Sequence, residues 1–90
     1  MLVKQINYKK QFLQEFLKLP LLLQKRAKKK EKIFRNNPLY PSLRLHPLKG
    51  DLQGLWSISV TMNYRIIFKR AENGDIIFIS IGRHDLYKYL

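Results

Sequence analysis

Two histidines, a tyrosine near the end of the chain and a surplus of arginine and lysine are the side chains of this sequence best suited to chemistry. His84 follows an apolar run in "ISIGRHDLYKYL", between Arg83 and Asp85 and shortly before Tyr87. His46 precedes a proline in "RLHPLKG". The carboxylates Glu15, Glu31, Asp51, Glu72, Asp75 and Asp85 include no adjacent pair of the kind that glycosidases or two-metal sites use. Two histidines without a cysteine lead us to expect no metal site, no thiol nucleophile and no disulfide. The sequence has no glycine loop that cradles phosphate and no nucleophilic-serine elbow, so no cofactor is expected.

That residue set suits one reaction. RNA supplies its own nucleophile, the 2′-hydroxyl, which attacks the adjacent phosphate without needing a metal or a covalent intermediate. A site for this reaction must remove the hydroxyl proton, stabilise the extra charge on five-coordinate phosphorus and protonate the leaving 5′-oxygen. A histidine near its ordinary pKa of about 6.5 serves as base or acid and contributes ~10²–10⁴-fold. Arginine and lysine clamp the charge. A tyrosine orients the hydroxyl or stacks on a splayed base.

Charge points the same way. Eighteen Lys and Arg against six Asp and Glu give a net charge of +12. Residues 1–50 hold thirteen of the basic side chains and two of the acidic ones, so nearly all the excess lies in the first half. A field of that strength attracts phosphate backbones or an acidic partner protein. Lys28, Lys29, Lys30 and Lys32 form one run whose alternative reading is a solvated helix face.

Ninety residues at 46% hydrophobic make one folded domain, 1–90, with a modest core. No apolar run approaches the roughly 20 residues of a membrane span. The opening "MLVKQINYKK" does not read as a signal peptide, and a cytoplasmic protein is expected.

The elements that must position these groups follow from periodicity. Residues 2–6 read as a short strand, and Asn7 as the N-cap of a helix whose apolar positions are Phe12, Leu13, Phe16 and Leu17. Pro20 ends that helix and opens a second, over residues 20–35, with Leu22, Leu23, Ala27, Ile33 and Phe34 as its stripe. A Pro-, Asn- and Gly-rich surface connection follows. Three strand-like stretches close the chain: "LWSISVT" with Trp56, Ile58 and Val60 on one face, "YRIIFK", and "IIFISIG" after an Asn-Gly turn signal. The expectation is an α+β fold: a short strand, a two-helix hairpin, and a three-stranded antiparallel meander packed against the helices.

The stretch "LHPLKGDLQGLWSISVTMNYRIIFKRAENGDIIFISIGRHDLYK" resembles the RelE/ParE superfamily of bacterial toxin–antitoxin modules. The likeness rests on "HPLKG", on "GLWSISV" followed by "NYRIIF", on the Asn-Gly hairpin and on the terminal "IGRHDLYK", and it extends over essentially the whole chain. It implies a toxin neutralised by a small acidic antitoxin. In RelE-like and YafQ-like members it implies cleavage of messenger RNA in the ribosomal A site, beside ribosomal RNA. ParE-like members share the fold but poison DNA gyrase.

By position, the resemblance puts His84 in the catalytic slot and Arg65 where nuclease members contact the scissile phosphate. His46 matches a loop histidine of the YafQ-like group. Lys49 is a basic loop residue, and Tyr87 a C-terminal aromatic. Three positions depart from the pattern: Ser59 and Asn63 stand where YafQ-like nucleases carry a histidine and an aspartate, and Ser57 where RelE-like ones carry an arginine. An inactive member that only binds its antitoxin is therefore a further alternative. For Arg65, the bland alternative is an ion pair with Asp51 or Asp85.

Overall fold

The computed structural model describes residues 2–85. Five strands form one mixed sheet: β1 (Ile6–Tyr8), β2 (His46–Pro47), β3 (Leu55–Ser59), β4 (Tyr64–Arg70) and β5 (Ile76–Arg83), in the spatial order β1-β5-β4-β3-β2. Between β1 and β2 run the helices α1 (Lys10–Leu17) and α2 (Leu21–Asn36). The α+β architecture with its antiparallel meander is as expected, and the sheet reaches past the meander on both sides. β1 pairs in parallel with β5, and β2, within the stretch read as a surface connection, pairs with β3.

β4 lies in the middle of this order. Its sequence "YRIIFKR" contains no turn former, and Arg65 through Phe68 are all buried. Strand alternation sends Ile66 and Phe68 into the core cluster and puts Arg65 and Ile67 on the other face. The core is built on aromatic rings: Phe34 lies 5.0 Å from Phe68 and 6.1 Å from Phe78, and Phe12 lies 5.3 Å from Phe78. Offset pairs at such distances contribute beyond their buried area. The β4–β5 hairpin turns through Gly74 at φ +92°. Gly74 N–H donates to Ala71 O and Ala71 N–H to Asp75 O. The turn is thus the four residues Ala71–Gly74, ending in the left-handed glycine, rather than a two-residue Asn-Gly loop.

Three sequence expectations are corrected. Asn7 is no helix cap, because it lies in β1 opposite Ile77. The chain stays extended until Lys9, whose N–H donates to Phe78 O, and α1 begins at Lys10. Leu13, Leu17 and Leu22 are exposed by 46%, 73% and 64%, each one residue, about 100° of helix, away from the inward positions Phe12, Phe16 and Leu23. The proline connection places Pro20 before α2 rather than in it. There Gln24 Nε2 donates to the carbonyls of Phe16 and Leu19 at the end of α1.

β1 ends at Tyr8, so β5 has an open edge beyond Phe78. Glu15 of α1 covers part of it: its Oε1 accepts from Ser80 Oγ at 2.6 Å and from Ile81 N–H at 3.1 Å. Substituting Glu15→Ala strands both donors and should destabilise the fold by about 1–3 kcal/mol in denaturant titration. Glu15→Gln keeps an acceptor and should recover most of that loss. Equal stability for all three proteins would show that the contact contributes nothing.

Candidate functional site

Pairing within the sheet decides which side chains meet. Arg65 of β4 lies opposite Ser59 of β3 on one side and Gly82 of β5 on the other. All three occupy the face turned away from the aromatic core, and Gly82 places no side chain beside the guanidinium. One residue further along β5, Arg83 lies opposite Tyr64, its guanidinium carbon 5.9 Å from the ring centre. β5 ends there, and His84 and Asp85 form a short 3-10 turn in which His84 N–H donates to Asn63 O at 2.7 Å. The β3–β4 turn that presents Asn63 is closed by Thr61 Oγ1, which accepts from the N–H groups of Asn63 and Tyr64.

These elements enclose an open cleft of 490 Å³ lined by Arg44, Asn63, Arg65, Arg83, His84 and Asp85, with Met62 at its rim. Arg65 is the deepest cation, 9% exposed, and neither its Nε nor its Nη1 has a hydrogen-bond partner. Across the strand, Ser59 Oγ is also buried and unpartnered. A guanidinium stays charged at any physiological pH, and an unpaired buried charge is among the costlier features a fold can carry. Three arginines around one histidine and one carboxylate can hold an anion. With His84 the cleft has the groups that charge stabilisation and proton transfer require.

The structure separates the other residues singled out in the sequence. The ion pair of Arg65 with Asp51 or Asp85 is not formed, as the orphaned nitrogens show. His46 does not line the cleft. It sits on β2 opposite Ser57, two strands and two residues from Arg65, or about 12 Å diagonally across the sheet. Its Nδ1 lies 3.1 Å from Arg44 O. A carbonyl only accepts, so Nδ1 is the donor in this contact. Lys49 lines a separate depression with Pro47, Leu55 and Trp56. Lys28 lies 5.9 Å above the Phe16 ring, whereas Lys29 and Lys30 line a separate depression. Tyr87 lies outside the described residues.

Asp85 shares the cleft with His84 although the two are adjacent. Strand alternation does not separate them, because the strand has already ended at Arg83. Arg44 was missed in the sequence. Its backbone is left-handed, at φ 48° and ψ 46°, and its flanks gave the available signal: in "LRL", Leu43 and Leu45 pack inward, which turns Arg44 out. Among the described residues no three His, Asp or Glu side chains converge, and no helix is long and apolar enough to cross a membrane.

A two-helix, five-stranded sheet of this kind is also the fold of small toxins of known structure. At a TM-score of 0.74 the fold matches the YoeB/ParE toxin from Agrobacterium tumefaciens, at 15% identity over 90% of this chain and 99% of that one. It matches YafQ from E. coli at 0.72, with 23% identity over 93% and 97% of the two chains. The toxin fold in the E. coli DinJ-YafQ toxin-antitoxin complex matches at 0.68, with 24% identity over 90% and 92%. At such identities the likeness is one of fold. In sequence, 37 residues are 51% identical to endoribonuclease HigB of Proteus vulgaris, spanning 41% of this chain and 39% of that protein. The ParE-like toxin domain matches residues 22–88. The chain belongs to that family, within the RelE/ParE superfamily.

The orphaned guanidinium generates a direct test. In phosphate-free buffer Arg65→Met, which removes the buried charge, should melt at or above the parent temperature. Inorganic phosphate at tenfold its dissociation constant should stabilise the parent by about 1.4 kcal/mol, roughly 6–11 °C in a domain of this size, and Arg65→Met far less. Equal phosphate shifts in both proteins would show that Arg65 is not the anion receptor.

Proposed function

We propose that the protein is the toxin of a type II toxin–antitoxin module, an endoribonuclease that cuts messenger RNA in the ribosomal A site and is neutralised by a small acidic antitoxin. The observation that carries this reading is the cleft that joins His84 to the buried, unpartnered Arg65. A relative in sequence over 37 residues is an endoribonuclease, and proteins of the same fold include a toxin solved with its antitoxin, which supports it.

In the proposed reaction a base takes the proton of the 2′-hydroxyl, and the oxygen attacks the adjacent phosphorus. A P–O2′ bond forms, the P–O5′ bond breaks, and the 5′-oxygen leaves with a proton from the acid. The products are a 2′,3′-cyclic phosphate and a 5′-hydroxyl. Arg65, with Arg44 and Arg83, holds the phosphoryl oxygens as their charge grows. His84 exchanges the proton at the cleft. His46 Nε2 reaches the substrate only across the sheet, so its share is secondary, and Tyr87 would stack or orient from the C-terminal segment. The nucleophile belongs to RNA itself, and no step calls for a metal or cofactor.

A ParE-like toxin directed at DNA gyrase is the second reading, favoured by the description of the matched family. It has no use for His84. Expression of the parent should halt growth and translation, and mapped 5′ ends of messenger fragments should fall in phase with codons. His84→Ala, folded by circular dichroism, should lose about 10²–10⁴-fold in cleavage and restore growth. Full toxicity from folded His84→Ala would refute the site, and DNA damage without messenger fragments would assign the protein to the gyrase-directed branch.

A further inference from the structure

The cationic surface continues past the cleft. Arg44 and Met62 also line a second depression, of 330 Å³, whose other walls include Arg26 and Lys30 of α2, Ser42 and Ser59. Beyond it a third, of 530 Å³, adds Lys29 beside Arg26 and Lys30. Among the described residues no carboxylate lines either of these two depressions. The second one is built rather than incidental. Lys30 Nζ donates to Ser42 Oγ at 3.0 Å, which anchors the cation at the wall. The buried Ser59 Oγ has no partner, although it lies directly across the strand from Arg65. Burial, then the neighbouring charges of Lys29 and Arg26, hold the Lys30 ammonium below the ordinary lysine range. Such a group gains from any anion that enters.

We propose that the second depression is a further phosphate subsite, in which Arg26, Lys30 and Arg44, with the hydroxyls of Ser42 and Ser59, hold a neighbouring backbone phosphate of the RNA strand cut in the first cleft. The identity of the strand rests on the nuclease reading, whereas the subsite rests on its own cations and orphaned hydroxyl. A line of cations running from Arg65 through Arg44 to α2, with hydroxyl donors between, fits the regular charge of a nucleic-acid backbone. It also divides the lysine run: Lys29 and Lys30 face the track, while Lys28 packs over Phe16.

The test is binding of an uncleavable 2′-O-methyl oligonucleotide, followed by fluorescence anisotropy across a salt series. The triple variant Arg26→Gln, Lys29→Gln, Lys30→Gln should bind about tenfold more weakly or worse, with a salt slope shallower by about 2, since each lost phosphate contact to a single strand removes about 0.7. A charge-matched control, Lys18→Gln, Lys25→Gln, Lys32→Gln, should lose far less. If the triple variant does not fold, Lys30→Gln alone should lower the slope by about 0.7. Equal losses in track and control variants would overturn the subsite, leaving only diffuse charge. Track-dependent binding of poly-glutamate without track-dependent binding of the oligonucleotide would overturn it in favour of an acidic protein. The oligonucleotide cannot be cleaved and only its binding is read, so a failure of the nuclease reading leaves this comparison intact.

Discussion

Burying a guanidinium in the middle strand of a sheet costs several kcal/mol unless the charge is paired. Arg65 occupies that position with two nitrogens unpartnered, and much of the outer face is arranged around it. Ser59 and Gly82, its neighbours across the strands, keep bulk away from it. The β3–β4 turn and the end of β5 then bring Asn63, Arg83 and His84 to the same rim. Moving Arg65 one residue along β4 would point it into the phenylalanine core, so the register of the sheet and the location of the site are one constraint.

The opposite face makes that arrangement affordable. Phe34, Phe68 and Phe78 are fully buried and stack α2 against the central strands, while Phe12 brings α1 onto β5. Glu15 closes part of the strand edge that β1 leaves open. The result is a sheet with one apolar face and one that carries the cleft, and a site held on strands is positioned more finely than one held on loops. α2 belongs to both sides: Ala27 and Phe34 serve the core, while Arg26, Lys29 and Lys30 extend the cationic surface of the site.

Local periodicity made the helical hairpin and the meander legible, because amphipathic spacing and turn residues act over a few positions. It could not show that residues near the start pair in parallel with the last strand, since nothing local encodes a contact between Ile6 and Ile76. The extension of the strand through Tyr8 depends on that distant partner, which overrode the capping tendency of Asn7. The site divides in the same way. His84 and Arg65 stood out by residue type and resemblance, and the sheet register brings them together. Arg44 was hidden because its place at the cleft goes with a left-handed backbone in the connection before β2, which no local pattern announces. His46 had the right chemistry, and its strand pairing places it outside the cleft.

The unpaired state of Arg65 also bears on how much binding energy an anion can release. A surface arginine exchanges water for phosphate and gains little, because both states are well solvated. Arg65 is 9% exposed with two buried, unpartnered nitrogens, so a phosphate oxygen at its guanidinium would displace less solvent than at a surface arginine. If an anion binds there, part of the folding free energy withheld in the free protein is returned on binding. If the cleft acts on phosphate, the gain is largest where the phosphate bears most charge, which is the five-coordinate state rather than the ground-state diester. A buried, orphaned cation would then favour turnover over tight substrate binding, and the exposed lysines and arginines of α2 would supply the affinity that Arg65 withholds.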